Sequence, residues 1–195
     1  MGEISTAPTF RGRERLIAAL DAAVSLADTK AITSALKQVL CNAIGDPGIE
    51  LPPCVHRPVQ GRYARRELHR SQRLGYSVIA MCWGPGQGTP LHDHDAMWCV
   101  EGVWRGELVV TPYALLERHG ERCRFAAQET LYGGRGSAGS LIPPHEYHTL
   151  CNASEGDIAV SLHVYQGPME RSTVFDPLGD GWYQRRVHQL DTDAA

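Results

Sequence analysis

The chain has 195 residues, 43% hydrophobic and 21% charged, with a formal net charge of −3. That composition predicts one globular domain with a substantial core. The near-neutral balance, with no basic block, argues against nucleic acid or an anionic membrane as partner. No apolar run approaches the ~20 residues needed to span a bilayer, and the N-terminus Met1-Gly-Glu-Ile-Ser lacks the pattern of a secretory leader, so a cytoplasmic protein is expected. Six scattered cysteines (Cys41, Cys54, Cys82, Cys99, Cys123 and Cys151) form no Cys-X-X-Cys pair and are expected to be mostly buried thiols.

In chain order, residues 1–10 read as a flexible start. From Arg13 to Ala27, apolar residues recur at helical spacing (Leu16, Ile17, Leu20, Ala23, Val24, Ala27). Asp28 or Thr29 can cap a second helix carrying Ile32, Leu36, Val39, Leu40 and Ile44, which Gly45-Asp-Pro-Gly ends. After residue 60, short β-rich runs alternate with Gly, Pro and Asn turns. They are Tyr76–Trp83, Met97–Trp104, Glu107–Tyr113, Cys123–Leu131, Gly139–Ile142, His148–Asn152, Ile158–Tyr165 and Trp182–Gln189. The spacing predicts a mainly β body, a sandwich or small barrel, with the two helices packed outside. One domain spans 1–195, with residues 1–50 helical and 60–190 forming the barrel.

Within Gly86-Gln-Gly-Thr-Pro-Leu-His92-Asp-His94, a Gly/Pro turn leads into a His-X-His pair. In extended chain, alternate side chains share a face, about 6–7 Å apart. Two imidazoles so placed can converge on one metal ion. Ser161, His163 and Tyr165 alternate in the same way along a later strand. Ser161 can bond His163, and His163 the phenol of Tyr165, which gives a relay ending in a hydroxyl donor. Arg65 or Arg66, just after Tyr63, offers a cation able to clamp a carboxylate.

The motif resembles that of the cupins. Five residues separate Gly86 from His92; Cys99 stands where cupins usually carry a glutamate, and Gly106 where the motif closes. Their second motif is matched by Pro143, His148 and Asn152, with His145 replacing a glycine and remaining a rival ligand. The resemblance implies a double-stranded β-helix with His92, His94 and His148 at its mouth. Three histidines without a carboxylate leave a divalent metal its full charge, which suits a thiolate substrate. Three histidines plus water also fit zinc.

Further fragments narrow the resemblance to the cysteine dioxygenase type I family, the thiol dioxygenase branch of the cupins. They are Cys82-Trp-Gly-Pro-Gly-Gln-Gly, Ser161-Leu-His163-Val-Tyr165 and Tyr63-Ala-Arg65. The likeness runs from about residue 60 to residue 178. It implies one Fe(II) per chain on His92, His94 and His148, and oxidation of L-cysteine by O2 to cysteine sulfinate. It further implies substrate carboxylate on Arg65 and Tyr63, Tyr165 tuned by His163 and Ser161, and a thioether between Cys99 and Tyr165. The partners are a small thiol and O2, with neither nucleic acid nor membrane, and a monomer is expected. Some relatives oxidise 3-mercaptopropionate; they tend to carry Gln for the arginine and Gly at position 99, and both differences favour cysteine here. Arg171 could serve a carboxylate in another pose. A non-catalytic, ligand-binding cupin stays open.

Overall fold

The computed structural model describes residues 7–144 and 146–194, so the start of the expected flexible segment and His145 lie outside the described residues. Helix α1 covers Arg13–Val24 and α2 covers Thr29–Gly45. The first helix stops short of the expected Ala27. Asp28 caps α2 by accepting the Ala31 N–H at 2.9 Å, and that cap needs extended backbone (φ −141°), so the chain must leave the helix first.

Twelve strands follow among the described residues: β1 Ala64–Ser71, β2 Tyr76–Trp83, β3 Leu91–His92, β4 Cys99–Arg105, β5 Glu107–His119, β6 Arg122–Ala127, β7 Leu131–Gly134, β8 Ala138–Leu141, β9 His148–Asn152, β10 Ala159–Tyr165, β11 Arg171–Gly179 and β12 Trp182–Gln189. They form two antiparallel sheets, ordered β1-β2-β10-β4-β8 and β6-β12-β11-β3-β9-β5-β7. The long β5 pairs with β7 and β9 through its first half and with β6 through its second, which closes the second sheet on itself. This is the double-stranded β-helix expected from the sequence. The expected run Cys123–Leu131 divides into β6 and β7: after Gln128, whose N–H still donates to Pro112 O at 2.9 Å, the chain leaves the β5–β6 pairing and returns to β5 at Leu131 opposite Val110.

The helices lie against the outer face of the first sheet. Leu16, Leu20, Leu36 and Leu40 pack with Val78, Ala80, Val100, Val160, Leu162 and Val164. The intervening positions Ile79, Met81, Trp83, Cys99, Val103 and Tyr165 form a second cluster inside the barrel. Period-two alternation divides each strand between these layers. It explains why β2 and β10 are buried along their whole length although their inward residues include polar ones. Close approach of the layers is set at Gly102, where a Cβ would come within 3.2 Å of Leu40 and Ile44 of α2.

Candidate metal centre and substrate cavity

His92 and His148 stand opposite each other across the β3–β9 pairing, so neighbouring strands present both rings to one face. His94 lies past the end of β3, not within a strand as the sequence suggested. The chain stays extended there because Asp93 and Thr173 bond reciprocally: Asp93 N–H donates to Thr173 O at 3.0 Å and Thr173 N–H donates to Asp93 Oδ1 at 2.9 Å. The three ring centroids are 4.4, 5.0 and 5.3 Å apart, and one nitrogen from each ring lies within 4.8 Å of the others.

The donor set fits a metal. His92 Nδ1 is tied to Pro90 O at 3.1 Å and His148 Nδ1 to Glu146 O at 2.8 Å, which orients each ring through one nitrogen and leaves Nε2 as donor. Buried His148 Nε2 and His94 Nδ1 have no hydrogen-bond partner among the described residues, and an orphaned buried nitrogen asks for a ligand. Burial, then the neighbouring imidazoles, hold His94 and His148 well below the usual histidine range, and burial lowers His92 as well. All three rings are therefore neutral near pH 7, the form that binds a metal.

His92 and His94 border a cavity of about 460 Å³ whose walls include Tyr63, Arg65, Met81, Trp83, His163 and Tyr165. Arg65, opposite Met81 in the β1–β2 pairing, faces this space, while Arg66 points to the other side and reaches Ala194 O at 3.4 Å. The alternation along β1 thus decides which arginine faces inward. Arg65 is 4% exposed. Its Nη1 donates to Asp191 O and its Nη2 to Met169 O, both at 3.1 Å. Each nitrogen keeps a second proton. Asp193, the acid beside β1, is engaged instead by Arg62 and by the Arg65 backbone N–H. Among the described residues no carboxylate lies within ion-pair distance of the Arg65 guanidinium. Tyr63 stacks on Trp83 at 4.6 Å. Arg171 lies away from the cavity, 61% exposed and paired with Asp95 at 2.6 Å, so the alternative clamp is not placed to act.

Ser161, His163 and Tyr165 all lie on the inner face of β10 and are buried. The expected relay forms only in its first half. Ser161 Oγ and His163 Nε2 are 2.7 Å apart. The Tyr165 ring lies nearly parallel to His163, centroids 6.0 Å apart, and the second imidazole nitrogen, Nδ1, faces elsewhere: Cys99 Sγ at 4.0 Å and Glu101 Oε2 at 3.4 Å. The two rings lie 13° from parallel, so the phenol does not meet the imidazole edge-on. Cys99 is opposite Tyr165 in the β4–β10 pairing. Burial, then Glu101, push its thiol up, and a bond with Tyr165 partly offsets them. Burial, then Cys99, hold Tyr165 well above the usual phenol range, so it remains a donor.

Sequence reasoning missed Glu101 and underrated Trp83, whose Nε1–H donates to Ser161 Oγ at 2.9 Å. The legible signal was an acid two residues from Cys99, hence on the same face of a strand that is otherwise apolar there. The Met169 and Asp191 carbonyls on Arg65 left no sequence signal, because any residue supplies a carbonyl.

Fold and site define a cupin-type barrel with a candidate three-histidine centre beside a cationic cavity. Residues 60–177 match the family model for cysteine dioxygenase type I. The chain belongs to that family. It is 26% identical over 117 residues to cysteine dioxygenase type 1 of Rattus norvegicus, covering 60% of this chain and 57% of that protein. It is 27% identical over 122 residues to the enzyme of the same name from Danio rerio, with the same coverage. The chain thus spans under two thirds of the length of these relatives. Among solved structures it is similar to the Schizosaccharomyces pombe Cnp3 cupin domain, at TM-score 0.45 and 10% identity, covering 62% of this chain and 75% of that one. A double-stranded β-helix protein from Klebsiella pneumoniae gives TM-score 0.45 and 16% identity, covering 72% and 99%.

Proposed function

We propose that the protein is a mononuclear non-haem iron thiol dioxygenase that oxidises L-cysteine with O2 to cysteine sulfinate. One observation carries this reading. A buried arginine cation, with no carboxylate partner among the described residues, faces the same cavity as His92 and His94, two of three converging neutral imidazoles. A buried uncompensated cation strongly favours an anionic ligand.

His92, His94 and His148 would hold Fe(II), which when bound supplies a centre where a thiol and O2 react in proximity. The chain does the rest. Neutral imidazoles leave the ion's charge unneutralised, so the substrate is favoured as thiolate. The free protons of Arg65 Nη1 and Nη2 take the carboxylate, while Met169 and Asp191 hold the guanidinium in place. Met81, Leu150 and Met169 line the cavity with apolar surface that limits water. Tyr165, protonated, offers a hydroxyl from the wall. Cys99 beside Tyr165 supports the thioether: joining Sγ to the ring carbon next to the hydroxyl releases two electrons and two protons, which O2 would accept.

Protein reconstituted anaerobically with Fe(II) should consume O2 only when cysteine is added and should yield the sulfinate. Arg65→Ala should raise the KM for cysteine roughly 100-fold with a smaller effect on kcat. Faster turnover of 3-mercaptopropionate than of cysteine would move the substrate assignment. Ligand binding with no O2 uptake would favour a binding protein. Loss of two hydrogen masses after turnover, absent in Cys99→Ser, tests the thioether.

A further inference from the structure

Glu101 occupies the inner face of β4, directly opposite His163 in the β4–β10 pairing. Its side chain is 12% exposed, and Oε2 lies 3.4 Å from His163 Nδ1. That oxygen has no aligned hydrogen bond. On the other side of β4 the opposing residue is Gly139 of β8, which brings no side chain. Among the described residues, the titratable groups facing Glu101 are therefore Cys99 on its own strand and His163 and Tyr165 on β10. Across the ring, His163 Nε2 meets Ser161 Oγ at 2.7 Å, and Ser161 already accepts the Trp83 N–H at 2.9 Å.

A neutral imidazole has one N–H and one lone pair, so its two contacts are coupled. With Glu101 ionised, the ring proton sits on Nδ1 facing the carboxylate, and Ser161 donates its hydroxyl proton to Nε2. With Glu101 protonated, the acid donates to Nδ1. The ring proton then moves to Nε2 and is donated to Ser161, whose own proton must turn away. One proton added at Glu101 thus exchanges the tautomer of His163 and reverses the Ser161 hydroxyl, with no other bond made or broken.

We infer that Glu101 is a positioning residue of the thiol-oxidising site, holding a proton that selects the tautomer of His163, the ring stacked beside Tyr165, and thereby orients the Ser161 hydroxyl. The catalytic part of this inference rests on the function proposed above; the tautomer part does not. Burial raises the Glu101 carboxyl to about 7, while burial, then Arg65, lower His163 to about 3. The exchange therefore falls near neutral pH, with the imidazole uncharged throughout.

Two readouts test it on the full-length, iron-loaded protein. Infrared difference spectra taken below and above pH 7 should show a protonated-carboxyl band lost on raising the pH, together with a shift of histidine ring bands identified by nitrogen-15 labelling. Both changes should be absent in Glu101→Gln. In cysteine-dependent O2 uptake, the wild-type kcat should carry an ionisation near 7 that the variant lacks, with kcat down roughly tenfold and KM within about twofold. A wild-type carboxyl already ionised throughout, or ring bands that shift equally in Glu101→Gln, would overturn the inference. The wild-type titration decides by itself should the variant fold poorly. If no thiol drives O2 uptake in the wild type, the proposed function fails while the infrared measurement still rules on the tautomer.

Discussion

Strands β10 and β3 both serve the cavity, yet they place their residues by different means. β10 is seven residues long, buried throughout and paired with β2 and β4 on its two sides. Ser161, His163 and Tyr165 are aligned there by the pleat itself, since every second residue of a doubly paired strand must face inward. β3 holds only Leu91 and His92. Beyond it, His94 is placed by the Asp93–Thr173 exchange, while Pro90 O and Glu146 O accept from the His92 and His148 rings and turn those two. The sheet therefore positions Ser161, His163 and Tyr165 redundantly, and His148 on the doubly paired β9 likewise, while His94 depends on a local exchange of hydrogen bonds.

The largest effect should come from His94→Ala. After Fe(II) loading and desalting, metal analysis should show affinity lower by at least roughly 100-fold, while far-ultraviolet circular dichroism stays unchanged because β10 does not depend on that loop. Iron retained at wild-type level would remove His94 from the donor set.

The next effect belongs to the sheet-held side and is read as stability against pH. Glu101 is raised from 4.5 to about 7 by burial. Its contribution is fully present below pH 4.5 and is lost as pH rises to about 7. His163 is lowered to about 3, so its contribution is present above 6.5 and is lost as pH falls. The two slopes oppose each other in the wild type. Glu101→Gln removes the first, so urea unfolding should show the variant gaining roughly 3 kcal/mol over the wild type between pH 4.5 and pH 8. Parallel curves would mean the carboxyl is not buried as described.

Asp93→Ala should give the smallest change. It leaves the Thr173 N–H without its acceptor at 2.9 Å, costing about 1–2 kcal/mol in denaturant unfolding. Metal affinity should fall about tenfold, with Ser161, His163 and Tyr165 undisturbed. An unchanged metal affinity would show that His94 needs no such support, and the contrast between the two strands would weaken.

The opening pair of helices, the run of short strands and the inward alternation of Ser161, His163 and Tyr165 were legible from residue order, because period 3.6 and period 2 are local properties of the chain. The His-X-His spacing was legible too, although its second member sits beyond a strand. Three things were settled only when the chain closed on itself. The β1–β2 pairing, not the Tyr-X-Arg spacing alone, sent Arg65 inward and Arg66 outward. The β4–β10 pairing put Glu101 and Cys99 against His163, a contact across 62 positions between Glu101 and His163 that spacing does not encode. The carbonyls holding Arg65 come from residues 104 and 126 positions away. Alternation fixes which face a side chain takes relative to its own strand; which partner awaits it there is decided by pairing between distant segments, and that is a property of the assembled barrel.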